Sequence, residues 1–558
     1  MSSPLRYNIS DVRLTYDGPC EPYEMEKDIV ADFNSRHHSV LDLYKIELEK
    51  GTIYTLDDSV NGRSNLGVFR SKQLREAVIL AAALPAAAVV IDGYDSLRKL
   101  PKSEHTPETI NKLKRYNDRR AAQIMSEVLQ ATTESVELGD EVVIESIITE
   151  GLRLKPGVET GGNPTIPVGA LFGKKEHVKY YGRELRSEIT KLSMGSDVIE
   201  GTTKSVKGLH SSLTSLFVTE SYFKRHIPDI YVERWMAGSM FPEFNPRNVD
   251  VREGARAIAE LCGIKDFSEM SAFFLNRPRH EKAMNSLNAM GIATPFDNDG
   301  DLFPAVVMGM DGLHFPDGRG LDCMVGEIGG SAEWVVGALP LIWRGGQSLG
   351  ALSSQSSLSR KDLSPEELWK ERFHYTEEEL ILFQDARFEQ KPFFVLEDIM
   401  DNPFAGGISA FCSISDNYYL PQLKGVAIDE ERGLITTNTL MVNSLGNIKH
   451  WQLTFRCVEG FEVTVEKMKS PKHKLCGQDR SVIEKEIAKM AGNLLDRFKL
   501  RQFFVNEYYP AIVHTTGKLA LLNQTIDAMI ERKTLNKNDR MIVDSVLKIL
   551  PEWFVSMT

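Results

Sequence analysis

The stretch SDVIEGTTKSVKG, Ser196 to Gly208, sets two acids three residues apart, Asp197 and Glu200, and follows them at once with Gly201 and Thr202. Lys204 and Lys207 lie just beyond. Like charges beside a glycine and a hydroxyl have two readings. One is an ordinary solvated turn. The other is a site for a hard divalent cation, which takes carboxylate oxygens and keeps positions open for substrate phosphates. In that reading Gly201 lets a phosphate approach the backbone, and Thr202 can orient a water.

The flanks suggest a sheet. EVVIESII (Glu141–Ile148) and LTSLFVTE (Leu213–Glu220) are short and rich in β-branched residues, as strands are. Thr106-Pro107-Glu108 reads as a capped helix start, with the helix running to about Leu129. From about residue 250 the pattern alternates. VREGARAIAELCG is helical, SAFFLN a strand, and PRHEKAMNSLNAMG a helix that stops at Gly291. FPAVVMGM and LDCMVGEI read as strands, SAEWVVGALPLI as a helix, and KGVAIDEERGLITTNTLMVN and KHWQLTFRC as late strands. Such alternation indicates a parallel or mixed sheet covered by helices, an α/β protein. Residues 1–70 are polar and irregular. Near the C-terminus Ile483, Ile487, Met490, Leu494 and Phe498 fall at helical spacing, as do Leu519, Leu522, Ile526 and Met529, and then Ile542, Val546 and Ile549.

Composition narrows the function. The 558 residues carry a net charge of −12 with no dense basic run, which argues against a nucleic-acid partner. The six cysteines are scattered and form no C-x-x-C pair, as expected of reduced thiols. No signal-peptide core is evident, and the longest apolar run, Ala77 to Ile91, is short for a bilayer span and contains Pro85. A cytoplasmic protein with no membrane partner is expected.

Other chemistry-bearing groups are spread along the chain. Lys114 and Asp118 are i,i+4 on the expected helix, an arrangement that also suits a simple surface ion pair. Arg277 and Arg279 stand near a helix N-terminus, where the dipole disfavours cations unless an anion docks between them. Asp299 and Asp301 flank Gly300 in DNDGD, a turn or a set of acceptors for sugar hydroxyls. Glu333 follows Gly329 and Gly330 in the first turn of a helix, which suits the dipole and leaves the glycines open to a ligand.

Taken together, SDVIEGT, IPDIYVERWMAG, LNRPRHEKAMNSLNAMGI, DGD, IGGSAEWVV and LITTNTLMV resemble the class II fructose-1,6-bisphosphatases, members of the lithium-sensitive, metal-dependent sugar and inositol phosphatases. The resemblance covers roughly residues 72–460. It implies a layered αβαβα fold, with a first lobe (72–250) carrying the metal site and a second (251–460) the substrate site. An N-terminal extension (1–71) and a helical C-terminal extension (461–558) lie outside it. It implies Mg²⁺ or Mn²⁺, a sugar phosphate or bisphosphate substrate, and a homo-oligomer, dimer or tetramer. Carried over residue by residue, Asp118, Glu145, Asp197, Glu200 and Glu333 become metal ligands, with Thr202, Glu150 and Lys114 catalytic. Gly201, Tyr231, Arg277, Arg279, Asp299, Asp301 and Gly330 become substrate-binding residues.

Two departures stand out. Val198 replaces the family's proline, and the Gly-Glu-Gly-Glu stretch with its later aspartate is replaced by IESIITE, where Thr149 takes the aspartate position. These leave open a second expectation, a catalytically degenerate member that binds, regulates or scaffolds.

Overall fold

A computed structural model describes residues 5–58, 71–94, 97, 100–134, 142–150, 165–166, 170–174, 189–223, 232–246, 249–328, 331–352 and 393–469. Among these, two sheets and three helical layers stack in the order α-β-α-β-α.

The larger sheet has ten strands. Its order is β3 (Glu21–Glu24), β4 (Ile46–Asp57), β18 (Ile448–Cys457), β17 (Leu434–Asn443), β15 (Gly407–Ser413), β8 (Leu213–Thr219), β7 (Thr190–Glu200), β5 (Val142–Thr149) and β6 (Leu171–Phe172), with β16 (Ala427–Asp429) on β17. All its pairs are antiparallel except β5 with β7. The smaller sheet runs β1 (Arg6–Asn8), β11 (Thr294–Asp297), β10 (Ala272–Leu275), β13 (Cys323–Ile328), β9 (Val232–Ala237) and β14 (Gln347–Leu352). A two-residue pair joins β2 (Thr15–Tyr16) to β12 (Leu313–His314).

Helix Ser331–Trp343 is buried along its whole described length and packs between the sheets, against β7 on one side and β9 and β14 on the other. Helices Lys72–Val89 and Pro107–Glu134 cover the outer face of the large sheet. Helices Val251–Leu261 and Glu281–Asn288 cover the outer face of the small one, closing over Trp235 and Phe274. Strands with helices on both faces must be apolar on both faces. β7 is buried from Leu192 onward, yet it carries Ser193 and Ser196 and ends in charge.

Several expectations need correction. FPAVVMGM begins inside a helix, Leu302–Val307, and is not a strand. A short buried apolar run carries no period to separate the two. Residues 5–58 are not an irregular extension: β1 joins the small sheet, and β3 and β4 extend the large one. Nor do the sheets divide the chain at residue 250, because β15, β17 and β18 return to the sheet that holds β5 and β7. Counted with its flanks, the Lys72–Asp92 helix is long and apolar enough to cross a membrane, although Ala77–Ile91 alone reads as too short. It is packed inside the core. Beyond helix Phe461–Lys469, the three apolar stripes of the tail lie outside the described residues.

Candidate active site

The chemistry gathers where β5 and β7 end side by side, facing the N-terminus of helix Ser331–Trp343 and the end of β11. In a regular strand, residues three apart point to opposite faces. Asp197 pairs with Ser215 and Glu200 with Leu213, so three steps on β7 match two on β8. This bulge turns the two acids toward the same place. Gly201 then takes φ +70°, a left-handed conformation that glycine adopts freely, and starts the short helix Thr202–Lys207.

The solvated-turn reading does not hold. Asp197 is 1% exposed, Glu200 4% and Thr202 8%. One oxygen each from Glu150, Asp197 and Glu333 lie within 4.8 Å of one another, and so do oxygens from Glu200, Asp301 and Glu333. Asp197 Oδ1 accepts the Ile199 N–H at 3.2 Å, while buried Oδ2 receives no N–H or hydroxyl donor among the described residues, and the carboxyl groups of Glu150 and Glu200 lie within hydrogen-bonding reach of Asp197. Burial, then Glu150, Glu200 and Glu333, hold the Asp197 carboxyl well above the usual carboxylate range. Burial, followed by the Asp301 charge, pushes Glu200 up to about 8.

Glu200 Oε1 is gripped by the N–H groups of Asp301 (2.6 Å) and Leu302 (2.9 Å). Asp301 is ion-paired to the buried Arg234 at 2.8 Å. Burial raises its pKa, and Arg234 and Arg277 pull it back. The Thr202 hydroxyl lies 3.1 Å from both Asp118 Oδ1 and the Ile199 carbonyl, so its one proton goes to one of them. Lys114 sits one turn before Asp118, half-buried.

The arrangement sorts the sequence-derived residues. Asp197, Glu200, Glu333 and Asp301 come together, and Glu150 joins them. Glu145 belongs to neither acidic cluster. It pairs in register with Ser193, five residues back from Glu150, or about 16 Å along a strand. The acid at the end of β5 is therefore Glu150, which is better placed as a ligand than Glu145. Thr149 is fully buried and donates to the Ile166 carbonyl at 2.8 Å. Asp118 stands at the Thr202 hydroxyl and outside both clusters. Arg277 Nη1 donates to the carbonyls of Asn276 (3.2 Å) and Asn298 (2.8 Å), so it braces the turn that carries Asp299. Arg279 lines a 330 Å³ cavity with Arg234, His280 and Glu233. Tyr231 and Gly330 lie outside the described residues.

Sequence reading missed Arg234 and the Lys204–Asp297 pair, whose Nζ–Oδ2 distance is 2.6 Å. A lone arginine inside the strand VERWMA was a usable signal, because arginine is almost never fully buried unless paired.

A divalent cation fits these residues. The donors are hard oxygens. Asp197 and Glu150, two acceptors side by side, need a proton or a cation between them, and Asp197 Oδ2 has no donor of its own.

A family model described as bacterial fructose-1,6-bisphosphatase, glpX-encoded, matches residues 165–450. The class 2 fructose-1,6-bisphosphatase of Haemophilus influenzae is 27% identical over 168 residues, 30% of this chain and 48% of that one. Fructose-1,6-bisphosphatase 1 class 2 of Escherichia coli K12 is 29% identical over 142 residues, 25% of this chain and 40% of that one. The match to these two thus spans about half of their length or less. The D-fructose 1,6-bisphosphatase class 2/sedoheptulose 1,7-bisphosphatase of Prochlorococcus marinus AS9601 is 22% identical over 348 residues, 61% of this chain and 95% of that one. Lys114, Asp118, Glu145 and Glu150 precede the residues that the family model matches, and it is the fold that carries Asp118 and Glu150 to the site. With just over half of its length matched, the chain belongs to the bacterial, glpX-encoded fructose-1,6-bisphosphatase family.

Proposed function

We propose that the chain is a divalent-cation-dependent phosphatase that hydrolyses a phosphomonoester of a sugar bisphosphate, with fructose 1,6-bisphosphate the first candidate. The observation that carries this reading is the buried acidic cluster, in which Asp197 Oδ2 faces other carboxyl groups and receives no N–H or hydroxyl donor among the described residues. Two described cations of this region, Arg234 and Lys204, are already engaged by Asp301 and Asp297. Glu150, Asp197, Glu200 and Glu333 would hold Mg²⁺ or Mn²⁺. A cation held there supplies Lewis-acid chemistry, acidifying water and offsetting phosphoryl charge.

The protein's own groups do the rest. Thr202 Oγ1, fixed between Asp118 and the Ile199 carbonyl, orients the attacking water through its lone pairs. The water oxygen bonds to phosphorus as the P–O bond to the sugar breaks; a carboxylate of the cluster takes a proton from the water, and a proton returned to the leaving oxygen lets the sugar depart as an alcohol. Lys114 lies one turn from Asp118 and supplies positive charge nearby. Arg279, with Tyr231, Asp299 and Gly330, is assigned to the substrate, and Gly201 leaves room for the phosphate. The same reading brings a cytoplasmic location and a homo-oligomer, a dimer or tetramer.

The test is a phosphate-release screen over sugar phosphates and bisphosphates, with Mg²⁺ and then Mn²⁺. Release is expected to be greatest from fructose 1,6-bisphosphate or sedoheptulose 1,7-bisphosphate. Binding without release from any substrate would favour the degenerate, ligand-binding alternative. Arg279→Ala should weaken sugar-bisphosphate binding by about 1.5–3 kcal/mol, the worth of a charge-assisted hydrogen bond. Calorimetry on both proteins checks this, and equal affinities would remove Arg279 from the site.

A further inference from the structure

We propose that Lys204 is a positioning residue for substrate recognition. It acts through Asp297 to hold the turn Asp297–Leu302 over the acidic cluster. The inference rests on the sugar-bisphosphatase reading above.

Lys204 is 6% exposed and Asp297 4%. Asp297 Oδ2 accepts both the ammonium, at 2.6 Å, and the Tyr419 hydroxyl, at 3.0 Å. Its other oxygen caps the start of the turn, accepting the N–H of Asn298 at 2.7 Å and, more loosely, that of Asp299 at 3.4 Å. At the far end of the turn the N–H groups of Asp301 and Leu302 close on Glu200 Oε1. The two clamps therefore come from one short stretch, Glu200 to Lys204, joined by the left-handed Gly201. They converge over Gly300, which has φ +82°. A Cβ there would lie 3.3 Å from Glu200 Oε1 and 3.6 Å from Lys204 Nζ. Asp299, the acid assigned to sugar hydroxyls, is suspended between the two clamps.

Apolar side chains at both positions would avoid the desolvation cost of two buried charges, so the ion pair is a weak source of stability, although removing Lys204 alone leaves the buried Asp297 without its counter-charge. What the pair supplies is direction. A charged bond with a second donor on the same oxygen fixes where Asp297 points, and hence where the turn begins. Lys204 touches none of the proposed reacting atoms, and its loss should register in substrate affinity more than in the chemical step.

The experiment compares the steady-state kinetics of wild type, Lys204→Met and Tyr419→Phe with fructose 1,6-bisphosphate and Mn²⁺. Mn²⁺ binding is titrated calorimetrically on the same proteins. Lys204→Met should raise KM about tenfold and change kcat and Mn²⁺ affinity less than threefold. Tyr419→Phe removes one hydroxyl and keeps the ring contacts with Phe273 and Phe303, so it should fold whatever the fate of Lys204→Met. It should raise KM about threefold. An unchanged KM in Tyr419→Phe and in any folded Lys204→Met overturns the proposal, leaving the pair a packing feature. So does an equal loss of kcat and Mn²⁺ affinity, which would place Lys204 in the cation site. Failure of wild type itself to release phosphate overturns the phosphatase reading, and this assignment falls with it.

Discussion

Helix Lys72–Val89 and the last four residues of β7 are buried to the same degree and touch the same core, yet they handle polar groups in opposite ways. The helix is apolar nearly all round, and its buried polar side chains are answered. Glu76 receives Arg36 and His37, both at 3.0 Å, and Gln73 donates to the Arg36 carbonyl. Beside Pro85, the Thr214 hydroxyl donates to the carbonyl of Ala82. At the end of β7, Asp197 and Glu200 face further carboxylates, and an Asp197 oxygen receives no N–H or hydroxyl donor among the described residues. Folding alone would not select such a cluster, because buried like charges raise each other's cost. Where burial is equal and compensation is not, the uncompensated region is the one that awaits something from outside.

The largest effect should come from breaking that region. Asp197→Asn removes a charge that folding opposes, so the cation-free variant should melt at a higher temperature than cation-free wild type. It should also lose the Mn²⁺-induced rise in melting temperature, and kcat should fall on the order of 10³-fold, since a cation at the reacting group is worth several kcal/mol. Thermal melts with and without Mn²⁺, beside a turnover assay, check all three. A variant with wild-type turnover would remove the contrast between the two regions.

The complementary change is in the helix. Leu80 is fully buried, and Leu80→Ala should cost about 2–5 kcal/mol through lost transfer energy and a residual cavity. Urea unfolding measures the loss. Well below the transition, kcat and KM per folded molecule should match wild type. A changed KM would mean that the helix does more than support the sheet.

These contrasts also explain what the sequence disclosed. Most of the helix–strand alternation beyond residue 250 was legible because its elements carry their own period, as the buried run FPAVVMGM does not, and SDVIEGT and DGD were legible because their acids are close in the chain. The bonds that assemble the site are not local. Arg234 meets Asp301 67 residues away, and Lys204 and Tyr419 reach Asp297 across 93 and 122 residues. No periodicity records such pairs. Glu145 and Glu150 were both visible, but only the pairing of β5 with β7 shows which one arrives beside Asp197. Of the N-terminal strands, β1 was obscured by its length of three residues and β3 by the exposure of all four of its residues, whereas β4 has twelve residues and its signal was overlooked.

A third acid sharpens the comparison because it has burial with no like-charge neighbour acting on it among the described residues. Asp322 precedes β13 at the end remote from the acidic cluster, and its Oδ2 accepts the Ser271 N–H at 2.7 Å. Burial pushes its pKa from 3.8 to about 6, and that one hydrogen bond only partly offsets the shift. The folded protein therefore holds this proton more tightly than the unfolded chain. Stability from this group is fully present below about pH 4 and is lost as pH rises through about 6. Asp322→Asn keeps an oxygen to accept the Ser271 N–H and removes the titration. At pH 7.5 the variant should be more stable than wild type by about 1–2 kcal/mol, less than the full shift implies because the side chain is partly exposed. The gap should close as pH falls through 5 toward 4. Urea unfolding of both proteins at pH 4.5, 6 and 7.5 reads the difference, and titrations common to the two chains cancel. A gap that stays constant with pH, or a variant less stable at 7.5, would mean that burial alone does not strain this carboxyl. More of the strain at Asp197 and Glu200 would then have to come from their charged neighbours.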